Sequence, residues 1–445
     1  KYFHYVLCLS EAKGMDIIMK DQKRGNGVGL FWICFLCAAV IVAAAVLTIW
    51  GADGLLSGLS GNEAEETAAL AESTDGGTGE TSVSLLEEGA DKEAEIVIRN
   101  EDGKETAAAP EPENGEAASA DREAGNGQEA VTLAFAGDVY LSDHVLNAYE
   151  NGGIGGVLGE SLRQAAEEAD LFMVNQEFPF STRGTPAPDK QYTFRLPPER
   201  ISIFHEMGID LVTLANNHAL DYGTEALLDT CSALEGAGIP YVGAGENLDR
   251  AKAMYTAEIK GRTIGFLGAT RVIPTADWAA SASRPGMLST YDPGILLEEI
   301  RKGRENCDYL VVYIHWGIER NDMPEEYQRQ IGKQCIDAGA DLVIGSHPHV
   351  LQGIEYYNGK PIVYSLGNYV FGSSIPRTVL LNVQWDGENT SLSVIPATSG
   401  AGYTREITEE GARQEVFSYL ESISFGAQVD ENGAISPKTE ETPQS

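Results

Sequence analysis

From Val131 onward, short apolar segments alternate with segments of helical pattern, and this alternation constrains the fold more than any other feature of the chain. Val131–Ala136, Leu171–Val174 and Tyr309–Ile314 have the length and composition of buried strands, and helical segments such as Thr224–Ala237 lie between such runs. Strands that alternate with helices form parallel sheets with helices packed on their faces. The sequence therefore predicts an α/β domain of about 280 residues with parallel strands.

Polar side chains recur where the predicted strands end. Open α/β sheets place their functional sites at the carboxyl ends of parallel strands, so these side chains are expected to meet. The segment Gly345–His349 is the strongest of these signals. Its two histidines lie one residue apart on a loop, and imidazole is the commonest metal-binding side chain near neutral pH. The strand-end candidates are Asp138, Asn175, Glu177, Asn217, His218, His315, His347 and His349.

This mixture of oxygen and nitrogen donors predicts a divalent metal centre. It suits Mn, Fe or Zn better than Mg, which prefers oxygen ligands, and better than a cysteine-type structural zinc site. The donors exceed what one ion needs, and Glu177 could bridge two ions about 3.5–4 Å apart. Two such ions activate a water and stabilise both oxygens of a phosphoester displacement. Each residue alone also fits a turn or a packed histidine, so a purely structural surface domain is a third hypothesis.

Residues 28–50 form an apolar segment that is long enough to cross a membrane. No charged side chain occurs from Gly25 to Ala52, and a bilayer core requires about 20 helical residues. Basic residues precede the segment and acidic residues follow it, which predicts a single-pass signal anchor in the cell membrane with residues 1–27 cytoplasmic and the main domain extracellular. A cleaved signal peptide is the alternative. Because position 1 is lysine, residues 1–14 could precede a native start at Met15.

Residues 51–129 have the composition of an acidic, disordered linker. Residues 53–129 contain 21 acidic and 4 basic side chains, a formal charge of -17 out of -36 for the whole chain. Such a segment buries too little apolar surface to offset the entropy lost on ordering. The overall acidity also argues against nucleic acid as a partner, because nucleic-acid binding needs a basic face.

The C-terminal boundaries are predicted from the end of the alternating pattern. The α/β domain is expected over residues 130–400, with a helix within residues 401–425 and a disordered tail over residues 426–445. Asp386-Gly387, between two apolar runs, predicts a hairpin near the end of the domain.

A series of short motifs accompanies the strand ends between residues 130 and 375. In chain order they are Gly137-Asp138, Asn175-Gln176-Glu177, Leu214-Ala215-Asn216-Asn217-His218, Asp221-Tyr222-Gly223, Val242-Gly243-Ala244-Gly245, His315-Trp316-Gly317-Ile318-Glu319, Gly345-Ser346-His347-Pro348-His349 and Tyr364-Ser365-Leu366-Gly367-Asn368. As a set they resemble the CapA family of bacterial capsule (poly-γ-glutamate) synthesis proteins. That family is similar to the calcineurin-like metallophosphoesterases, which implies a four-layer α-β-β-α sandwich with two sheets between helices.

The resemblance implies a centre of two divalent ions. Carried over position by position, it gives each ion its own ligands and one ligand in common. The first ion would be bound by Asp138 and His349, the second by Asn217, His315 and His347, and both by Glu177.

The resemblance also implies the catalytic residues and shows two departures from the phosphoesterase pattern. The implied catalytic residues are His218 and Asn217. His218 would contact the transferring phosphoryl group or protonate the leaving group. Tyr140 stands where the first motif of those enzymes has a histidine, and Glu177 stands where they have aspartate. These departures leave the first metal site with fewer ligands.

Substrate contacts are expected around the same strand ends. Asn175, Arg195 and Asn368 are predicted to bind substrate. Arg195 lies in a loop that could meet an anionic ligand. Arg320 and Lys360 could do the same, although surface solvation explains them better.

The sequence thus leads to one function and one alternative. It predicts a membrane-anchored extracellular protein of capsule or poly-γ-glutamate biosynthesis or export, with a metal-dependent hydrolase site for an anionic polymer or phosphoester. The alternative is a non-catalytic partner that binds the polymer or a membrane polymer-synthase complex.

Overall fold

The structure is a computed structural model that describes residues 129–400 and 402–438. The predicted cytoplasmic segment 1–27, the predicted membrane anchor 28–50 and nearly all of the predicted linker 51–129 lie outside the described residues and stay predictions. Within the described part of the chain, no helix is both long and apolar enough to cross a membrane.

The described strands form a ten-stranded sheet, a six-stranded sheet and a two-stranded ribbon. The ten-stranded sheet contains β1 (Val131–Val139), β2 (Leu171–Gln176), β3 (Leu211–Thr213), β4 (Tyr241–Val242), β13 (Asn368–Val370), β14 (Ile375–Trp385), β15 (Thr390–Gly400), β16 (Tyr403–Glu406), β17 (Ala427–Val429) and β18 (Ala434–Pro437). The six-stranded sheet contains β6 (Tyr255–Ile259), β7 (Arg262–Thr270), β9 (Tyr309–His315), β10 (Leu342–Ser346), β11 (Leu351–Tyr357) and β12 (Lys360–Leu366). The ribbon pairs β5 (Ala244–Gly245) with β8 (Gly286–Met287).

Helices connect these strands. They are α1 (Asp143–Gly152), α2 (Glu160–Glu168), α3 (Ser202–Glu206), α4 (Gly223–Ala237), α5 (Leu248–Ala251), α6 (Gly294–Arg304), α7 (Glu326–Ala338) and α8 (Glu410–Ser422), with 3-10 turns at Ile154–Gly156, Pro198–Ile201 and Ala276–Trp278. Local sequence sets several of their ends. Ser142 caps α1, and Glu325 forms a capping box with Gln328 at the start of α7.

Parallel pairing dominates the part of each sheet that follows the alternating pattern. The strands β1, β2, β3 and β4 are parallel neighbours in that order. In the other sheet, β7, β9, β10 and β12 are parallel neighbours. The predicted α/β class with parallel strands is confirmed, and the carboxyl ends of these strands can therefore share one edge of the domain.

Alternating side chains in each strand supply three apolar cores. Leu133 and Phe135 of β1 lie in the core between the two sheets, whereas Ala134 and Ala136 lie in the core beneath helices α1 to α4. A third core lies between the six-stranded sheet and helices α6 and α7. The layers thus follow one another as helices, sheet, sheet and helices, which keeps both strand-end edges on the same side of the domain.

The predicted disordered tail over residues 426–445 was wrong for the part that the structure describes. β18 pairs with both β15 and β17, and Ile435 is buried in the core between the sheets. Helix α8 contributes Phe417 and Leu420 to the same core. The domain therefore extends past the predicted boundary at residue 400. Strands of three and four residues are too short to carry a recognisable period in the sequence.

Substitution Phe417→Ala should lower the free energy of unfolding of the full chain by about 3–5 kcal/mol, because it removes a fully buried ring from the core between the sheets. Chemical denaturation measures this loss. Ser418→Ala is the matched control, since Ser418 is exposed on the same helix and its loss should change stability by at most about 0.5 kcal/mol. Equal stabilities of the two variants would contradict this packing of α8.

Candidate metal centre

The candidate centre lies where the two sheets bring the ends of their parallel strands together. Asp138 and Glu177 come from the ends of β1 and β2 in the ten-stranded sheet. His315 ends β9 and His347 follows β10 in the six-stranded sheet. All four side chains are buried, so residues far apart in sequence form one interior cluster.

Close backbone packing places Asp138 at this cluster. The Asp138 amide donates a hydrogen bond of 2.9 Å to the carbonyl of Gly367, which immediately precedes β13. A side chain at Gly137 would put its Cβ only 1.8 Å from the same carbonyl oxygen. Glycine is therefore required at position 137, and the Gly137-Asp138 motif has a direct structural cause.

The histidine loop after β10 adopts a backbone that side-chain-bearing residues rarely use. His347 has φ of 99° and His349 has φ of 58°. Such conformations cost free energy and are retained mainly at functional sites. The His347 amide donates a 3.2 Å hydrogen bond to the Asp138 carboxylate. This bond ties the loop to the opposite sheet and holds it in the strained form.

One group of donors consists of Asp138, Glu177 and His349. One candidate ligand atom from each lies within 4.8 Å of the others. His349 Nδ1 is 3.2 Å from Asp138 Oδ2 and 3.9 Å from Glu177 Oε2. The resemblance assigns Asp138 and His349 to the first ion and Glu177 to both ions, so this group matches the implied first site.

A second group consists of Glu177, His315 and His347, again within 4.8 Å. His315 Nε2 lies 3.6 Å from Glu177 Oε1 and 2.7 Å from the side-chain oxygen of Asn217. Asn217 therefore joins this group. Glu177 belongs to both groups, so its carboxylate occupies the position that a bridging ligand would require.

Unsatisfied buried atoms show that the cluster fits a divalent cation. Both oxygens of Glu177 and Nδ1 of His347 are buried and have no hydrogen-bond partner among the described residues. Leaving such groups unpaired costs several kcal/mol, and buried charges are normally paired or bound to metal. The remaining donors are carboxylate oxygens and imidazole nitrogens, a set that Mn, Fe or Zn accepts.

Electrostatics within the cluster favours added positive charge. Burial, reinforced by the Asp138 carboxylate, raises the pKa of Glu177 well above its usual range. Burial lowers the pKa of His347 to about 3 and holds the pKa of His315 well below its ordinary value, so both imidazoles are neutral and present lone pairs. For His349, burial acts against protonation, but the Glu177 and Asp138 carboxylates outweigh it and raise its pKa to about 10.

Buried amides hold the carboxylate of Asp138 in place. Asn175 donates a 2.8 Å hydrogen bond to Asp138 and accepts one of 2.9 Å from Asn216. Asn216 also accepts a 3.0 Å bond from the amide of His218. Asn175 is fully buried and lines neither of the clefts beside the centre, so the structure gives it a supporting position instead of the predicted substrate contact.

His218 is held by a charged pair that the sequence analysis did not identify. Its Nδ1 lies 2.6 Å from Asp221 and 3.0 Å from the ammonium of Lys190. Lys190 also donates to Asp221 and to the backbone carbonyl of Asn217. The spacing His218-x-x-Asp221 could have indicated the first contact, because residues three apart meet in a tight turn. Lys190 lies in a loop without periodicity, so nothing in its sequence marked it.

Two clefts open beside the centre. The aromatic cleft, of about 400 Å³, is lined by Tyr140, Tyr192, Phe194, Phe371, His218 and Glu319. The arginine cleft, of about 370 Å³, is lined by Arg377, Tyr419, Ser374, Ile375 and Pro376. Both clefts are also lined by Arg320, His349, Asn368 and Ser373.

Of the two remaining predicted substrate residues, Asn368 lies at the clefts and Arg195 does not. Asn368 lines both clefts, and its side-chain oxygen lies 2.7 Å from His349 Nδ1. Arg195 lines neither cleft. Its guanidinium stacks 3.9 Å from the Tyr222 ring and donates to the carbonyl of Arg183, so it is committed elsewhere. Arg320, for which surface solvation was the favoured interpretation, is exposed and also lines both clefts.

Comparison with known families places this chain. The family model described as "Bacterial capsule synthesis protein PGA_cap" matches residues 132–373. The chain belongs to the CapA family of bacterial capsule synthesis proteins. The resemblance deduced from the strand-end motifs is confirmed.

Individual relatives have capsule-related names. "PGA biosynthesis protein CapA" of Bacillus subtilis is 33% identical over 252 residues, which cover 56% of this chain and 66% of that protein. "Capsule biosynthesis protein CapA" of Bacillus anthracis is 31% identical over 303 residues, 66% of this chain and 73% of that protein. A "Probable polyglutamine synthesis accessory protein" of Mycobacterium tuberculosis is 32% identical over 222 residues, 48% of this chain and 58% of that protein. The chain thus spans about two thirds of the length of these CapA relatives.

Elemental analysis of the purified full chain, after reconstitution with Mn, Fe or Zn and removal of loose ions, should find near-stoichiometric metal. The variant His347→Ala/His349→Ala should fall to background, because each donor group loses an imidazole. His144→Ala/His205→Ala is the matched control, since both of those histidines are exposed on helices and should not affect metal content. Metal retained by the loop variant, or none bound by the wild type, would contradict the centre.

Proposed function

We propose that this protein acts in the synthesis or export of poly-γ-glutamate capsule and that its described domain hydrolyses a phosphoester or related anionic bond with the help of metal. The names of its CapA relatives support the first part. One observation supports the second part, which is metal-assisted hydrolysis. The buried carboxylate of Glu177 has no hydrogen-bond partner among the described residues and belongs to two donor groups at once.

The proposed cofactor is a pair of divalent ions, Mn, Fe or Zn. When bound, such ions activate a water and stabilise charge on the oxygens of the reacting group. The first ion would be held by Asp138 and His349, the second by Asn217, His315 and His347, and Glu177 would contact both.

His218 is the proposed proton-transfer residue. Asp221 holds its Nδ1, so Nε2 is the nitrogen left to exchange a proton with a ligand in the aromatic cleft. Asp221 also accepts a hydrogen bond from the amide of Phe194, whose ring stacks on His218 with ring centres 4.1 Å apart. These contacts fix the imidazole plane and its distance from the centre, which is what positioned acid–base catalysis requires.

Tyr140 is the observation that favours the non-catalytic alternative. It stands two residues after Asp138, and burial raises its pKa to about 12, so it is a neutral phenol near neutral pH. Its ring stacks on Phe194 at 3.8 Å. A neutral phenol is a weaker metal ligand than the imidazole that the phosphoesterase pattern has there, and a polymer- or synthase-binding partner would need no such ligand.

Metal-loaded full chain should hydrolyse a chromogenic phosphate ester, with bis(p-nitrophenyl) phosphate and p-nitrophenyl phosphate as the probes. His218→Ala should lower kcat by about 10²–10⁴-fold while metal content stays unchanged, because it removes a proton-transfer group that coordinates no ion. His205→Ala, on the exposed face of α3, is the control. Equal kcat for His218→Ala and the wild type would remove His218 from catalysis.

Complementation decides between the two functions. In a strain that lacks this protein, His347→Ala should fail to restore capsule if hydrolysis is required. If His347→Ala restores capsule at wild-type protein levels, the protein acts as a non-catalytic partner and the hydrolase proposal is wrong.

We also propose that residues 28–50 anchor the protein in the cell membrane beside a membrane polymer synthase, with the main domain outside. The apolar length of that segment and the basic residues before it support this orientation. Protease added to intact cells should degrade the domain, and deletion of residues 15–50 should remove it from the membrane fraction. A domain that stays protected in intact cells would contradict the orientation.

A further inference from the structure

We propose that Arg320 and Arg377 form a subsite for the carboxylate groups of an extended anionic chain, directly beside the metal centre. The inference rests on the proposed function, because it names the part of the ligand that lies next to the bond to be cut. It adds which cleft holds the anionic chain and which side chains recognise it.

The arginine cleft and the aromatic cleft meet at the centre. His349 and Asn368 line both clefts, and His349 also belongs to the first donor group. A ligand that reaches the centre can therefore continue into either cleft. The chemistry of the two walls decides which part of a ligand enters each one.

The guanidinium groups of both arginines have no ion pair within the part of the chain that the structure describes. Acidic residues outnumber basic ones by 67 to 31, so carboxylates are abundant. Arg183, Arg304 and Arg329 form ion pairs with aspartate or glutamate. Neither Arg320 nor Arg377 has an ion pair with a carboxylate among the described residues. Several other described arginines also lack such a pair, but these two lie on one cleft together with His349 of the donor groups. This position, next to the centre, indicates an anionic ligand.

Arg377 is held in place without using its donors on a protein carboxylate. Its guanidinium stacks on the Tyr419 ring at 3.9 Å. The Tyr419 hydroxyl donates a 3.1 Å hydrogen bond to Asp322, which fixes the ring. A stacked guanidinium keeps its N–H groups at its edge available for bidentate binding of a carboxylate.

Arg320 is fixed relative to the metal centre through its backbone. Its amide donates a 2.7 Å hydrogen bond to the carbonyl of Pro348, between His347 and His349. It has φ of 62°, a conformation that costs free energy for a residue with a side chain. The backbone of Arg320 is thus tied directly to the histidine loop, so its side chain begins at a fixed position beside the centre.

The aromatic cleft disfavours the same ligand. Its wall combines the rings of Tyr140, Phe194 and Phe371 with the carboxylate of Glu319. An anionic repeat would meet like charge there and would gain no charged partner that the arginine cleft does not also offer. The anionic chain should therefore extend in one direction, along the arginine cleft.

Binding of a fluorescent γ-linked glutamate decamer to the full chain tests the subsite. Arg320→Gln/Arg377→Gln should weaken binding by about 10- to 100-fold, because two charge-assisted contacts are lost. The wild type should bind a γ-linked glutamine decamer, which lacks the charges, correspondingly less tightly. Arg405→Gln is the matched control: Arg405 is exposed and stacks on Tyr403 at 5.7 Å, but it lines neither cleft. It should bind the decamer like the wild type.

Three results would overturn the subsite: no decamer binding by the wild type, unchanged binding by Arg320→Gln/Arg377→Gln, or an equal loss in Arg405→Gln, which would indicate a general effect of charge. Turnover of the small chromogenic esters by the wild type is measured separately. If the wild type does not turn over these esters but binds the decamer in an arginine-dependent way, the hydrolase proposal is wrong and the subsite proposal is still supported.

Discussion

The arrangement of this domain depends on one buried carboxylate that the protein leaves without a hydrogen-bond partner among its described residues. Glu177 lies at the end of a strand in one sheet and faces histidines from the other sheet. Burying a carboxylate without hydrogen bonds opposes folding, so positive charge next to it stabilises the surrounding cluster. This requirement joins the two sheets chemically, in addition to the apolar core between them.

The supporting contacts can be understood from that requirement. Asn175 and the amide of His347 both donate to Asp138, so a ligand on one sheet is positioned partly by the loop of the other. Gly137 allows the backbones to approach closely enough for this to happen. The strained histidine loop is retained because bonds on both sides of it hold the backbone in place. Stability and function are therefore coupled at the same few residues.

Residues that line the two clefts are also held by contacts close to the metal centre. His218 is set by Asp221 and Lys190, and Arg320 is set by the backbone of the histidine loop. In each case a residue that could meet a ligand is fixed through contacts close to the centre. Arg320 is tied to the loop through its backbone amide, so replacing an exposed side chain such as that of Arg320 or Arg377 leaves this contact in place.

Much of the fold and centre could be predicted because their signals are local. Buried strands are read from short apolar runs, and the polar residues that follow them share an edge whenever the strands are parallel. Asp138, Glu177, His315, His347 and His349 were found in this way, and the structure brings them together. The strands over residues 427–437 were missed because they are very short. The loop that contains Arg195 predicted a substrate contact, and no sequence pattern reveals that its guanidinium stacks on Tyr222 instead.

By itself, the sequence determined the class of the fold, the membership of the CapA family and the set of strand-end donors, since these follow from periodicity and from motifs. Only the tertiary structure decided how the donors divide into two groups, that Glu177 is shared between them, and that Asn175 supports Asp138. It also decided that Lys190, Arg320 and Arg377 lie beside the centre. Those outcomes depend on distances between side chains on different strands and loops, and packing of the two sheets sets such distances without leaving a pattern along the chain.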